Sequence, residues 1–439
     1  MSAPAVPPPW RSGAVWTVVA AAIAWRWLLA ARTPVPSEDG VSYLWMAQRF
    51  AAGDLAAGLG EVFPPGFPLL LAPWSWCGGE PFVTAQVFGV ACAAATVLPL
   101  CAIARHFGAA GALGAVWLWA SGSLLARNSV EVFSEPPFLL LMALGTLAGL
   151  RGRWWLCGAA AAIAFWIRPE GLLLPAAFVL SHRRAALRAL VPAGGGVLLL
   201  AVVRWLAGHG FDPLPLLAFH EQRDDLPERG QVLANVLQVP GAWLEAFGLA
   251  GLLLFAAVWR WRERAAQALG WQCLLQVGAV CTFVVRRRFL LSAAVPVHAL
   301  AAQALAALRP RWRAALVTAL VVAGAVGAFR GTIEPDRAAE RDVGRWLAAR
   351  LTADEVVVSD LARVVYYAGG RPPAPRKFAA AALVTQARQH AARFVVVANR
   401  RDGFDALARG LAAEYEPLSL PDELRRLADA RGITVFARR

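Results

Sequence analysis

For most of its length the chain alternates long apolar runs with short arginine-rich turns, and then it changes character. Apolar runs occupy 13–31, 82–104, 109–125, 136–150, 154–167, 171–180, 190–206, 243–258, 265–285, 289–308 and 314–328. A helix perpendicular to a bilayer needs roughly 20 apolar residues, so the pattern predicts an all-α polytopic membrane protein with about eleven transmembrane helices, several of them short. The pair between 154 and 180 reads either as two crossings or as one re-entrant hairpin. The first run holds Arg26 and lacks a small-residue cleavage site, which predicts a retained helix and not a signal peptide.

From residue 332 the pattern shortens. Strand-like runs at 355–359, 364–367, 393–398 and 433–437 alternate with helical patterns at 337–351, 379–392 and 421–431. That alternation predicts a small α/β domain of roughly 100 residues. It carries no glycine-rich phosphate loop and no metal-ligand spacing. The predicted organisation is therefore an N-terminal tail, 1–12, a membrane domain, 13–331, with a loop at 33–66 after the first span, and a soluble domain, 332–439.

Composition sharpens the picture. The 439 residues are 58% hydrophobic, and their mean hydropathy is +0.52, above what a soluble domain shows. A net charge of +14 would suit a nucleic-acid partner if it formed one basic face. The arginines instead cluster at segment ends, where they set topology and meet anionic headgroups, so membrane lipids are the expected partners and nucleic acid is not. The six cysteines make no CxxC or zinc spacing and read as small buried hydrophobes.

Arginine also orients the chain. Arg105, the Arg151/Arg153 pair, the cluster at 183–188, the run at 260–264 and that at 309–313 fall at alternate segment ends, which should face the cytoplasm. The tail 1–12 is then cytoplasmic, the C-terminal domain extracytoplasmic, and the whole a multi-pass protein of a bacterial inner membrane. Glu38, Asp39, Glu61, Glu131, Glu135 and Glu170 collect at the outer face. One feature breaks the rule: Arg286, Arg287 and Arg288 also fall there. Either a lipid phosphate offsets them through guanidinium forks, or the count of crossings is off by one.

Four stretches carry a resemblance. The loop at 33–66 has the acidic pair Glu38–Asp39, then Tyr43, then Phe63-Pro-Pro-Gly-Phe-Pro68. Ser134-Glu135-Pro136 opens an apolar helix, Arg168-Pro169-Glu170 closes a tryptophan-rich run, and Arg288-Phe289 precedes another apolar helix. In this order they resemble membrane glycosyltransferases of the GT-C fold, in particular protein O-mannosyltransferases and lipid A aminoarabinose transferases. The resemblance implies a polyprenyl-phosphate-linked sugar donor, a lipid, glycan or protein acceptor, and a catalytic acid in the first outer loop, here Asp39 with Glu38 beside it. The family pattern is often Asp-Glu or Glu-x-Asp. Glu-Asp-Gly departs from it and leaves open which carboxylate acts.

The chemistry agrees with that reading. Transfer from a lipid phosphate needs a base for the acceptor hydroxyl and cations for the departing phosphate. Asp39 is the candidate base; Arg286, Arg287, Arg288 and Arg168 are the candidate phosphate clamp. A single displacement inverts the anomeric carbon. Tyr43, Glu135 and Glu170 are further candidates for binding the substrate, and each of these residues also has a plainer reading. Glu135 suits a helix N-terminus for its dipole alone. Arg168 and Glu170 fit an interfacial turn, and Tyr43 an interfacial anchor. His220, after a Pro-Leu-Pro stretch similar to the family's, stands either at the donor phosphate or in an ordinary loop. One carboxylate pair makes a poor metal cage, so no metal ligand is assigned and a divalent cofactor stays open. A transporter or lipid-carrier flippase is the rival function; it calls for acids at mid-membrane and related halves, and neither is visible.

Overall fold

The structure, a computed structural model, describes residues 11–76, 78–213, 232–256, 263–282, 285–331, 337–352, 354–371, 380–399 and 403–439. His220 lies outside the described residues. Within them the chain is a bundle of apolar helices followed by a small mixed sheet, and every apolar run read from the sequence falls on helix. Among the described residues six helical segments are long and apolar enough to span a membrane, and Glu135–Leu150 and Trp154–Ile167 are shorter apolar helices. Two of the six are bent. The segment Pro81–Ser121 is interrupted at Gly108, where the backbone turns extended, so the gap read between 104 and 109 is a real break. The segment Pro169–Leu206 is interrupted at Arg183, which has a φ of 52°. Residues 154–182 form two helices joined at Arg168, whose backbone is extended because Pro169 follows it.

Small residues decide how the bundle closes. A Cβ on Gly108 would sit 2.7 Å from the Ala302 carbonyl oxygen, and Gly111 lies against the same carbonyl. The helix Val97–Ser121 therefore packs backbone to backbone on Ala294–Ala307, as small-residue membrane interfaces do. Arg26 is fully buried in the first span, and its Nη1 donates to the Ala120 carbonyl at 2.9 Å, tying that span to the same helix. A charged group at that depth has to find such a partner.

The loop after the first span is itself folded. Glu38–Ala51 is an amphipathic helix capped by Ser37, whose Oγ accepts from the Gly40 amide at 2.9 Å. The Pro64-Pro65 turn then starts the helix Gly66–Ser75. Gly66 is required there: a Cβ would stand 2.6 Å from the Trp166 carbonyl oxygen.

The C-terminal sheet contains β1 (Val357–Ser359), β2 (Phe394–Ala398), β3 (Tyr415–Pro417) and β4 (Ile433–Arg438) in the order β1-β2-β4-β3. β1 and β2 are parallel and the other pairs antiparallel. The run at 364–367, read as a strand, is the helix Ala362–Tyr367, and the strand Tyr415–Pro417 and the helix Phe404–Leu411 were not anticipated. Val364 and Val365 satisfy strand propensity, but burial against Ala338–Ala348 and against Glu38–Ala51 overrides it.

Candidate active site

Asp39 lies in the first turn of Glu38–Ala51. The preceding segment is pinned by the loop 129–134: the Ser37 amide donates to the Glu131 carbonyl at 2.9 Å, and a Cβ on Gly40 would meet the Val132 carbonyl oxygen at 3.0 Å. The glycine after the acidic pair thus lets the helix start lie close against this loop. Val132 itself has a φ of 61°, a strained conformation for a β-branched residue.

Four sequence motifs meet at this point. Arg288 Nη1 bonds Asp39 Oδ2 at 2.5 Å, and its Nε lies 3.2 Å from Glu135 Oε1. Arg168 Nη1 reaches the same Glu135 oxygen at 2.9 Å, and its Nη2 reaches Glu170 Oε1 at 3.0 Å. Asp39, Arg288, Glu135, Arg168 and Glu170 therefore form one alternating chain of charge. Its centre is dry: the Glu135 side chain is 3% exposed and that of Arg168 9%, while Asp39 at 16% and Arg288 at 25% face outward. Aromatic rings support the cations, with the Arg288 guanidinium 4.6 Å from the Phe133 ring centroid and the Arg168 guanidinium 5.7 Å from that of Phe289. Glu135 Oε2 and Arg168 Nε are buried without a hydrogen-bond partner.

Tyr43 forms the wall beneath. Its ring stands 5.0 Å from that of Phe63 and 5.2 Å from that of Phe67, so the Phe-Pro-Pro-Gly-Phe-Pro run serves to pack it. Its hydroxyl makes a long 3.5 Å contact with Ser134 Oγ, and burial with the nearby Asp39 carboxylate pushes its pKa up. Tyr43 is thus a buried packing residue and not an interfacial anchor.

The remaining candidates stand apart. Glu38 is exposed and has no ion pair among the described residues, because it occupies the next position around the helix from Asp39. Arg286 is exposed, and Arg287 points to Glu245 at 3.7 Å with both side chains half exposed or more. Of the arginine triplet only Arg288 turns inward. Phe133 and Ser134 belong to the site; Phe133 had no sequence signal, and Ser134 had only its place before Glu135. Among the described residues no group of three His, Cys, Asp or Glu side chains comes together as a metal cage. A cavity of about 510 Å³ lined by Trp27, Pro34, Glu80, Phe82, Arg341 and Tyr367 contains none of the cluster's residues.

The architecture is shared with known membrane proteins. The chain is similar to ArnT from Cupriavidus metallidurans bound to undecaprenyl phosphate, with a TM-score of 0.67 at 15% identity, covering 97% of this chain and 98% of that one. The apo state of the same protein gives 0.65 at 15% identity, over 96% and 97%. The apo form of the Archaeoglobus fulgidus oligosaccharyltransferase gives 0.55 at 11% identity, over 92% of this chain and 73% of that one. No family model and no curated protein matches the chain. At these identities the likeness is one of fold. The chain is a multi-pass membrane protein with the GT-C fold, a bundle of apolar helices carrying a small C-terminal α/β domain.

Proposed function

We propose that this protein is an integral membrane glycosyltransferase that moves a sugar from a polyprenyl-phosphate donor to an acceptor hydroxyl at the outer face of the inner membrane. The observation that carries the reading is the charge chain itself: a carboxylate at the start of an outer-loop helix is joined through Arg288 and Glu135 to a second guanidinium. The neighbour with undecaprenyl phosphate bound supports a polyprenyl-phosphate carrier.

Asp39 takes the proton of the acceptor hydroxyl as its oxygen attacks the anomeric carbon. The bond from that carbon to the phosphate oxygen breaks, the electron pair leaves with the polyprenyl phosphate, and the configuration inverts. Arg288 and Arg168 stabilise the charge growing on the phosphate. Arg288 cannot give its fork fully to both Asp39 and a phosphate, so an arriving donor competes with the carboxylate and frees it to act as base. Glu135 keeps two like charges close together.

The test is transfer of labelled sugar from defined polyprenyl-phosphate donors by protein reconstituted in vesicles, with Asp39→Asn beside the unaltered chain. Loss of transfer in the variant is expected. Equal turnover in both would remove Asp39 from the chemistry, and labelled lipid crossing the bilayer without transfer would favour a flippase.

A further inference from the structure

We infer that the C-terminal domain is a working part of the active site, and that Arg363 within it is a positioning residue that sets the start of the Asp39 helix. The catalytic consequence rests on the transferase reading; the mechanical one does not.

Arg363 is 2% exposed on the short helix Ala362–Tyr367. Its Nε donates to the Pro36 carbonyl at 2.6 Å, three residues before Asp39. Its Nη1 is held by Glu340 Oε2 at 2.8 Å, and Glu340, 1% exposed, also takes Arg431 Nε at 3.0 Å. A line of buried charge thus runs from the last helix of the chain, Asp422–Arg431, to the peptide that leads into the Ser37 cap. Neighbouring contacts repeat the grip. Arg341 Nη1 donates to the Pro34 carbonyl at 3.2 Å, Gln48 Nε2 to the Tyr366 hydroxyl at 3.3 Å, and Arg371 Nε pairs with Glu61 at 2.8 Å.

The burial is what makes this more than a surface contact. A solvated guanidinium gains little from one carbonyl, but a dry one paired with a buried carboxylate holds its geometry, and losing it leaves Glu340 with Arg431 alone. The 33–37 segment is not helical, and two of its residues are prolines without amide hydrogens. Its ends are tied to the membrane domain, Thr33 donating to the Ala30 and Leu29 carbonyls of the first span and the Ser37 amide to the Glu131 carbonyl, while the prolines between them are gripped from the C-terminal domain. The hold on Pro36 therefore fixes where the helix that carries Asp39 begins, and with it the place of the carboxylate beside Arg288.

The experiment compares full-length Arg363→Met, Arg363→Lys and a control, Arg388→Met, which breaks an exposed pair with Glu414 in the same domain. The first readout is hydrogen exchange at the amides of 37–41 without substrate. Arg363→Met should speed it by about tenfold or more, Arg363→Lys by less, and the control not at all. The second is turnover in vesicles: Arg363→Met should lower kcat by roughly tenfold to a hundredfold with donor KM within about twofold, since a small misplacement of a reacting group acts on the chemical step. Unchanged exchange overturns the positioning role whatever turnover does, and faster exchange with unchanged kcat overturns its part in the reaction. If the unaltered chain transfers no sugar, the transferase reading fails while exchange still decides the mechanical claim. Should Arg363→Met not fold, the graded response of Arg363→Lys decides both.

Discussion

Arg288 and Asp39 are 249 positions apart in the chain and meet at 2.5 Å in the structure. Nothing between them in sequence announces the pairing. It arises because the segment carrying Arg288 is packed, through Gly108 and Gly111, against the helix that also anchors Arg26 of the first span.

The inward and outward arginines should behave differently. Arg288→Ala should lower sugar transfer by about a hundredfold or more, on the scale of removing a donor to transition-state charge. Arg287→Ala should leave it within about twofold, since a half-exposed pair such as that with Glu245 contributes little. Initial rates with labelled donor in vesicles check both.

Glu135 balances two guanidiniums through one oxygen. Glu135→Gln leaves them facing each other in a dry site and should destabilise the fold by roughly 3 kcal/mol, as breaking a buried pair does. Glu170→Gln, at a more exposed carboxylate, should cost less than about 1 kcal/mol. Thermal unfolding in one detergent compares them.

Gly66→Ala should be among the more damaging single-methyl substitutions in the chain. Its Cβ would press on the backbone at Trp166 and Ile167, one residue before Arg168, and neither backbone can yield cheaply. A loss of about 2 kcal/mol is expected from overpacking, read as a lower unfolding midpoint, with transfer reduced alongside it.

Glu131 gives a pH signature. Burial pushes its carboxyl pKa up, only partly opposed by Arg127, so the folded state holds the proton more tightly than the unfolded state does. Stability from this group is therefore fully present below the ordinary glutamate value and is lost as pH rises through the raised one. Glu131→Gln should be more stable than the unaltered chain at neutral pH, and the difference should vanish in acid near about pH 4. Unfolding midpoints across that range decide it.

The apolar spans and the α/β tail were legible because hydropathy and periodicity are local properties that survive without knowledge of the partner. The acidic pair, Glu135 and Arg168 were legible as ionisable groups at the ends of apolar runs, within motifs whose order carried the resemblance. Which of three consecutive arginines turns inward was not, since helix phase and the packing of Arg287–Ala307 choose Arg288 and leave Arg287 to Glu245. Tyr43 reads equally well as an anchor until Phe63 and Phe67 close on it. Arg363 was invisible for a different reason: its partner in the loop after the first span is the Pro36 carbonyl, a group every residue has.

By itself, then, the order of residues determined that this chain crosses a membrane many times, where its apolar helices lie, and which charged groups were candidates for chemistry. The three-dimensional packing alone decided that Asp39, not Glu38, faces a guanidinium, that one arginine of three joins it, and that the last hundred or so residues brace the loop holding them. Hydropathy is written into each short stretch, whereas an ion pair depends on where two distant backbones come to rest, and close contacts at single glycines settle that.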